Sequence, residues 1–378
     1  MSRMYELLNR PNTRDARRYN RFLLALILPP LAVMLAYAFT QEPLRGDLTR
    51  VGGFSENDFG WNQPQKRFVP PLVDTEYERP YDIVILGDSF SSNPKGDTQT
   101  DPGAFWPNYV AQKTGLSVTV LSTPRVSVQK LVEHPIFKAS PPRLVIVQHV
   151  ERYLMRNNIT MARAYLRHDI GECPGAAPSR PGPIVERLAP LPVAPVPWHR
   201  DAAIQFDFGQ AVDAIWKAAF RNLAGINITR AHNLPLVTGG MFSSRVSDRL
   251  LVYDDEFRLA AWSRTQIDTA LCNLLAAQAL VERNGRTAFV FLVAPNKLTV
   301  YDDYVVDERY RRLSRLELFY RDERLHQIRL LEEMRAAVRR GVRDVYMPND
   351  THWGTPGHEI AADAVVQYLS RPQIEALR

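Results

Sequence analysis

Cysteine is scarce. The chain has two among 378 residues, Cys173 and Cys272. Two residues have no spacing signature, which rules out a disulfide-dense scaffold or a multi-cysteine zinc module. Charge of one sign is also thin. The net value is +6, and beyond the first residues it is not gathered into Lys/Arg runs. Without a basic stripe interleaved with aromatics, nucleic acid is not an expected partner. After the first forty residues no apolar run is long enough to span a membrane. No His/Cys/Asp/Glu group has metal-ligand spacing, and no glycine-rich stretch has a phosphate-loop pattern. Neither a metal nor a cofactor is therefore expected, and there is no internal repeat.

What the chain does have begins at its N-terminus. "FLLALILPPLAVMLAYAF", residues 22–39, carries no charge and matches a short membrane span. Arg3, Arg10, Arg14, Arg17, Arg18 and Arg21 precede it. Positive charge keeps that side in the cytoplasm and puts the remainder across the membrane. Residues 1–21 then form a cytoplasmic basic segment, 22–39 a transmembrane anchor or signal segment, and 40–378 an exported domain. Ala36-Tyr37-Ala38 also fits a cleavage site that would release a soluble protein. In an exported chain Cys173 and Cys272 either form one bridge or remain two buried thiols.

The exported part reads as an α/β domain. "GDLTRVGGFSENDFGWNQPQKRFVPP" is an irregular lead-in. "YDIVILG", "SVTVLS", "PRLVIVQHV", "TAFVFLVAP" and "VRDVYMP" read as strands. "FWPNYVAQKTGL", "VSVQKLVEH", "TQIDTALCNLLAAQALVERNG", "RLELFYRDERLHQIRLLEEMRAAVRRG" and "TPGHEIAADAVVQYLS" read as helices. Alternation at this spacing predicts a mainly parallel sheet. A proline-dense stretch at about 172–200 interrupts it and reads as an inserted surface loop or lid.

Chemistry gathers at two strand ends. "IVILGDSFSS" offers Ser89, and "NDTHWGTPGH" offers Asp350 and His352. Parallel sheets bring such loops together at their carboxyl edge. A serine hydroxyl needs a base to take its proton, and an imidazole needs an acid to hold its tautomer. Each motif alone also suits an ordinary turn or a helix cap. His149 and His358 lack an acid two residues earlier.

"GDSF" with a late "DTHW" resembles the SGNH (GDSL-like) hydrolase and acyltransferase superfamily. With "GGFSENDFGWN", "ERYL", "RLLVYDDE" and "APNKLTVY", the chain more closely resembles the alginate O-acetyltransferase (AlgX/AlgJ-like) family over most of its exported part. The resemblance implies an SGNH-like three-layer sandwich behind one N-terminal transmembrane helix. It implies Ser89 as acyl-carrying nucleophile, His352 as base and Asp350 as orienting acid; Asp88 falls in the nucleophile motif, where the residues themselves read as a turn. The implied activity is O-acetylation of a secreted bacterial exopolysaccharide, alginate- or cellulose-like, in the periplasm at the inner membrane. The implied partners are a membrane-bound O-acyltransferase as acetyl donor and a polymer biosynthesis and secretion complex. A deacetylase with the same triad and a non-catalytic polymer-binding scaffold are the alternatives.

The chain departs from the superfamily at the oxyanion donors. "STPRVSVQ" has no glycine and "VQHVERYL" no asparagine where these are usual. The Ser89 N–H remains, and Arg125 or Arg152 are candidates to replace the missing donors. Lys297, Tyr301 and Trp353 are candidates for contact with a sugar.

Overall fold

The computed structural model describes residues 13–39, 42–93, 99–123, 126–155, 173, 184–185, 187–201, 203 and 207–370. Strands among them are, in chain order, β1 (Gln65–Arg67), β2 (Ile83–Gly87), β3 (Val118–Ser122), β4 (Leu144–Val150), β5 (Val196–Trp198), β6 (Ala231–Pro235), β7 (Arg249–Tyr253), β8 (Ala288–Ala294) and β9 (Gln327–Ile328). Five form one sheet in the order β3-β2-β4-β8-β9, and every neighbouring pair is parallel. β1 with β5 and β6 with β7 make two small antiparallel pairs.

The central strands are continuous apolar runs because both faces are covered. Every residue of β2, β4 and β8 is buried. Helices Trp106–Thr114 and Thr355–Ser370 pack together, as do Val128–Glu133 and Arg264–Glu282. Because crossovers between parallel strands are right-handed, the connections from β2 out to β3 and back to β4 are expected to carry their helices to opposite faces, in three layers. The strand order reverses between β3 and β4, so the carboxyl ends of β2 and β4 open a crevice.

Helix Trp106–Thr114 stops at Gly115, as its sequence predicts. That glycine has φ +71°, and an added Cβ would lie 2.1 Å from the Ala189 carbonyl oxygen. Other expectations are corrected. The lead-in holds two short helices, Asp47–Gly52 and Glu56–Phe59, and β1. The charged stretch after residue 315 is not one helix. It divides into Leu316–Tyr320, β9 and Leu331–Arg339, because Leu325, Ile328 and Leu330 turn inward and the Gln327 side chain bonds the Phe319 carbonyl. The stretch 342–348 is not a strand. Asp344 takes φ 54°, and Tyr346 pairs only with Trp353 in an isolated bridge. β9 occupies the sheet edge instead.

Of the proline-dense insertion, β5 is fastened to β1, and the Ala189 and Leu191 N–H groups bond carbonyls of helix Trp106–Thr114. Most of 172–186 lies outside the described residues. Cys173 and Cys272 are bridged, with Cα atoms 5.1 Å apart and a separation of 99 in sequence. The bridge fastens the insertion to helix Arg264–Glu282.

The N-terminal helix runs Thr13–Ala38 with Pro29 and Pro30 inside it. Its stretch Ala16–Tyr37 is long and apolar enough to cross a membrane, and none of its best window is buried in the protein. Prolines interrupt a helix less in a membrane, where neighbouring groups satisfy the freed carbonyls.

Candidate active site

Ser89 follows β2 in a tight turn. Asp88 Oδ1 accepts from the Phe90 N–H at 3.0 Å, and its Oδ2 accepts from the Val150 N–H at 2.7 Å. Asp88 thus joins the turn to the end of β4, and its carboxylate is occupied by backbone. Gln148, inside β4, accepts from the Asp88 N–H at 3.1 Å and the Ser91 hydroxyl at 2.7 Å. Glycine is required just before the turn: a Cβ on Gly87 would sit 2.4 Å from the Ser91 Cβ. The result is a half-buried Ser89 held on a rigid corner.

Ser89 Oγ lies 2.8 Å from His352 Nε2, and His352 Nδ1 lies 2.6 Å from Asp350 Oδ1. With Nδ1–H donated to the carboxylate, Nε2 is left to accept the serine proton. Asp350 also accepts from the His352 N–H at 2.9 Å and from the Asp47 N–H at 3.1 Å. Burial alone would push the imidazole pKa down. The Asp350 carboxylate, helped by Asp47, outweighs burial and raises it above the ordinary histidine value. Burial opposes the Asp350 charge too, yet the attraction of His352 and these hydrogen bonds hold that carboxyl well below the usual range.

Lys297 fixes the loop bearing this pair. It is fully buried, and its Nζ donates to the carbonyls of Met347, Pro348 and Asp350 at 2.8, 2.9 and 3.0 Å. All three ammonium protons are used. Burial pushes its pKa down to about 8, against the pull of Glu256, Asp350, Asp47 and Asp344. Lys297 is therefore a positioning residue, and the expectation that it meets a sugar is corrected. The same holds for Tyr301 and Trp353. Both are completely buried, packed edge-on against Tyr346, and present no ring to a polymer.

Of the two arginines considered as donors, Arg125 lies outside the described residues. Arg152 follows β4, and its side chain is nearly enclosed. Its guanidinium lies 5.9 Å from the Phe90 ring centroid and 3.4 Å from Thr351 Oγ1, beside His352. Its Nε has no partner among the described residues. Burial disfavours its charge, but Tyr153, Glu256 and Asp47 together raise its pKa further. The preceding Glu151 does not pair with it; it accepts from the Thr299 and Ser314 hydroxyls and the Asn296 N–H.

Asp47 and Asn296 were not foreseen. The Asp47 carboxylate accepts from the Thr351 N–H and hydroxyl at 2.8 and 2.5 Å and stands 3.8 Å from His352 Nδ1. Burial and Asp350 push it up to about 6, although a quarter of its side chain still meets solvent. A glycine before it is essential, since a Cβ at Gly46 would lie 2.1 Å from the Asn349 carbonyl oxygen. The "GDL" of the lead-in carried that signal, but nothing near it in sequence pointed to residue 350. Asn296 lies two residues beyond β8, fully buried; its Oδ1 faces the Arg152 N–H at 3.3 Å, and its Nδ2 has no partner among the described residues.

Asp47, Asp350 and His352 bring ligand-type atoms within 4.8 Å of one another. Each of those side chains is already committed to hydrogen bonds within the site. His149 and His358 are buried and pushed toward the neutral form, His358 to about 3, so neither resembles a working base.

A family model described as an SGNH hydrolase-like domain of the acetyltransferase AlgX matches residues 247–378. The chain is also similar to the probable alginate O-acetylase AlgJ of Pseudomonas putida, at 26% identity over 132 residues, which is 34% of this chain and 34% of the relative. It thus spans about a third of the length of the curated relative it matches. No solved structure matches the chain. The matched family segment holds Asp350, His352 and Lys297, while Ser89 lies before it. Residues 247–378 are thus similar to the AlgX/AlgJ-like family of SGNH-type acetyltransferase domains.

Proposed function

We propose that the protein is an O-acetyltransferase that moves acetyl groups onto hydroxyls of a secreted bacterial exopolysaccharide through an acetyl-Ser89 intermediate. The observation that carries this reading is the continuous hydrogen-bonded line from Ser89 through His352 to Asp350, at 2.8 and 2.6 Å. In loading, His352 Nε2 takes the Ser89 proton as Oγ attacks the donor's acetyl carbonyl. The same proton then goes to the departing donor oxygen. In unloading, a sugar hydroxyl gives its proton to Nε2 and attacks the acetyl-serine. Ser89 Oγ leaves and takes the proton back. Asp350 stabilises the imidazolium in both halves.

The oxyanion needs donors aimed at it. The Ser89 N–H and Arg152 are assigned that role; Asn296, whose Oδ1 faces the Arg152 N–H and whose Nδ2 has no partner among the described residues, supports Arg152. A guanidinium brings full positive charge where the superfamily usually relies on neutral amides.

In this reading residues 1–21 are cytoplasmic, 22–39 anchor the chain in the inner membrane, and 40–378 work in the periplasm. Acetyl-CoA is not expected on that side, so a membrane-bound O-acyltransferase of a polymer biosynthesis complex would pass the acetyl group outward. The polymer is alginate-like in class, as the name of the relative suggests. Hydrolysis by the same triad is the rival, since only the acceptor differs.

The test is direct. The full chain is supplied with an activated acetyl ester, with and without an oligosaccharide acceptor. Mass spectrometry is expected to find acetyl on Ser89 and on the sugar, and both should vanish in Ser89→Ala. Sugar acetylation that survives that substitution sinks the nucleophile assignment. Release of free acetate alone, whatever acceptor is offered, favours the hydrolase.

A further inference from the structure

Helix Phe208–Leu223 wears its large side chains outward. Ala211 and Ala214 are its buried residues, facing the domain. Trp216, Phe220 and Leu223 recur at four- and three-residue spacing on the other side, with Phe208 exposed about two turns earlier and Trp216 64% and Leu223 88% exposed. Ile226 and Ile228 continue the patch, each more than half exposed. A soluble helix buries its bulky residues and exposes its small polar ones. Here the order is reversed, and a contiguous apolar surface of this kind marks contact with something else.

The N-terminal helix Thr13–Ala38 says what that contact is. It packs against Phe208–Leu223. Its half-buried residues Leu31, Met34, Leu35 and Tyr37 lie in its last two turns, and Tyr37 shares a groove with Gln210, Ala211 and Ala214. Those turns belong to the stretch Ala16–Tyr37 that is able to cross a membrane. A helix that touches the end of a membrane-crossing segment lies at the level of the bilayer surface. The flanking cations suit that level. Lys217 and Arg221 bend back to bond the carbonyls of Arg50, Gly52 and Gly53, leaving the apolar stripe clear. Trp216 is the residue type enriched where hydrocarbon meets headgroups.

We propose that the face formed by Phe208, Trp216, Phe220, Leu223, Ile226 and Ile228 lies in the outer interface of the lipid bilayer, beside the N-terminal helix. This rests on the reading of residues 22–39 as an uncleaved anchor. One crossing helix alone leaves a domain free to swivel. A second, surface-lying helix fixes its tilt and holds it against the membrane.

The experiment uses the full chain reconstituted into phosphatidylcholine–phosphatidylglycerol vesicles, with or without bromine on the upper acyl chain. The emission of Trp216 is isolated by subtracting the Trp216→Phe variant, a change too mild to unfold a helix whose tryptophan is exposed. The expected result is loss of most Trp216 emission in brominated vesicles, with the remaining tryptophans unaffected. Alkaline carbonate washing separates the two ways of failing. If the chain stays in the membrane but Trp216 is not quenched, the lipid contact is overturned and the face belongs to a protein partner. If the wash releases the chain, the anchor reading fails and takes the surface contact with it.

Discussion

Lys297 and Asp350 are hydrogen-bonded through the Asp350 backbone carbonyl, not through its carboxylate. The Lys297 ammonium donates to the Asp350 carbonyl at 3.0 Å, while the Asp350 carboxylate faces the other way, toward His352. The lysine thus sets where the acid stands without competing for its charge. Lys297→Met should leave three buried carbonyls without a donor, at a cost of about 1–3 kcal/mol for each that water does not reach. A lower unfolding midpoint, together with a fall in turnover at unchanged nucleophile identity, is the expected outcome. Thermal unfolding and active-site acetylation measure the two. An unmoved midpoint would mean that the loop holds itself.

Asp350→Asn tests tautomer control. An amide can donate to Nδ1 and turn the imidazole's proton to the wrong nitrogen. Turnover should fall by about 10⁴, the scale seen when the acid of a serine triad becomes an amide. A rate within a few-fold of the parent would return Asp350 to a purely structural role.

The pH dependence follows from the raised pKa of His352. Ser89 is activated only by the neutral ring, so activity should rise with pH through that pKa. The acid limb of kcat/KM should therefore stand above about 6.5, the ordinary histidine value. Asp47 supports the imidazolium less strongly than Asp350 does. Asp47→Asn should move the limb downward while leaving the triad hydrogen bonds in place. A limb at or below the ordinary value in the parent would contradict this electrostatic arrangement.

Arg152→Ala removes the proposed charged donor, whose guanidinium stands near Phe90 and Thr351. Loss of one oxyanion donor costs about 10²–10³ in kcat, and that is the expected drop. Arg152→Lys should recover only part of it, since an ammonium does not reproduce the planar fork. The diagnostic is kcat falling with little change in KM. An effect confined to KM would make Arg152 a binding residue instead.

Reduction of the Cys173–Cys272 bridge should loosen the insertion. It closes a long loop, and removing such a bridge costs about 2–4 kcal/mol. Denaturation midpoints with and without reductant read this directly, with the Cys173→Ser, Cys272→Ser double variant as the control.

The parts readable from sequence were those encoded locally. Continuous apolar runs announced β2, β4 and β8, and glycine stops bounded their helices. The proximity of Ser89, His352 and Asp350 was readable because they sit in two compact motifs at strand or loop ends. What stayed hidden depends on distant partners. Lys297 looks like a surface lysine beside a strand until the carbonyls of Met347, Pro348 and Asp350 surround it. Asp47 sits in a stretch rich in turn formers, and only the fold brings it against Thr351. The expected strand at 342–348 failed for a related reason. Its apolar residues Val345, Tyr346 and Met347 are buried, as a strand's would be, but they are buried beneath the histidine loop and not in the sheet.

The bond between Ser89 and His352 joins residues 263 apart in sequence. Ser89 follows an early strand of the sheet, and His352 lies in the loop before the last described helix. A chain made from the N-terminus therefore completes its serine corner long before its imidazole exists. Until residues 345–354 settle onto Lys297 and Asp47, the hydroxyl is chemically inert. If Ser89 is the acetyl carrier proposed above, reactivity becomes a report on finished folding, because the hydroxyl meets its base only when both ends of the domain are in place.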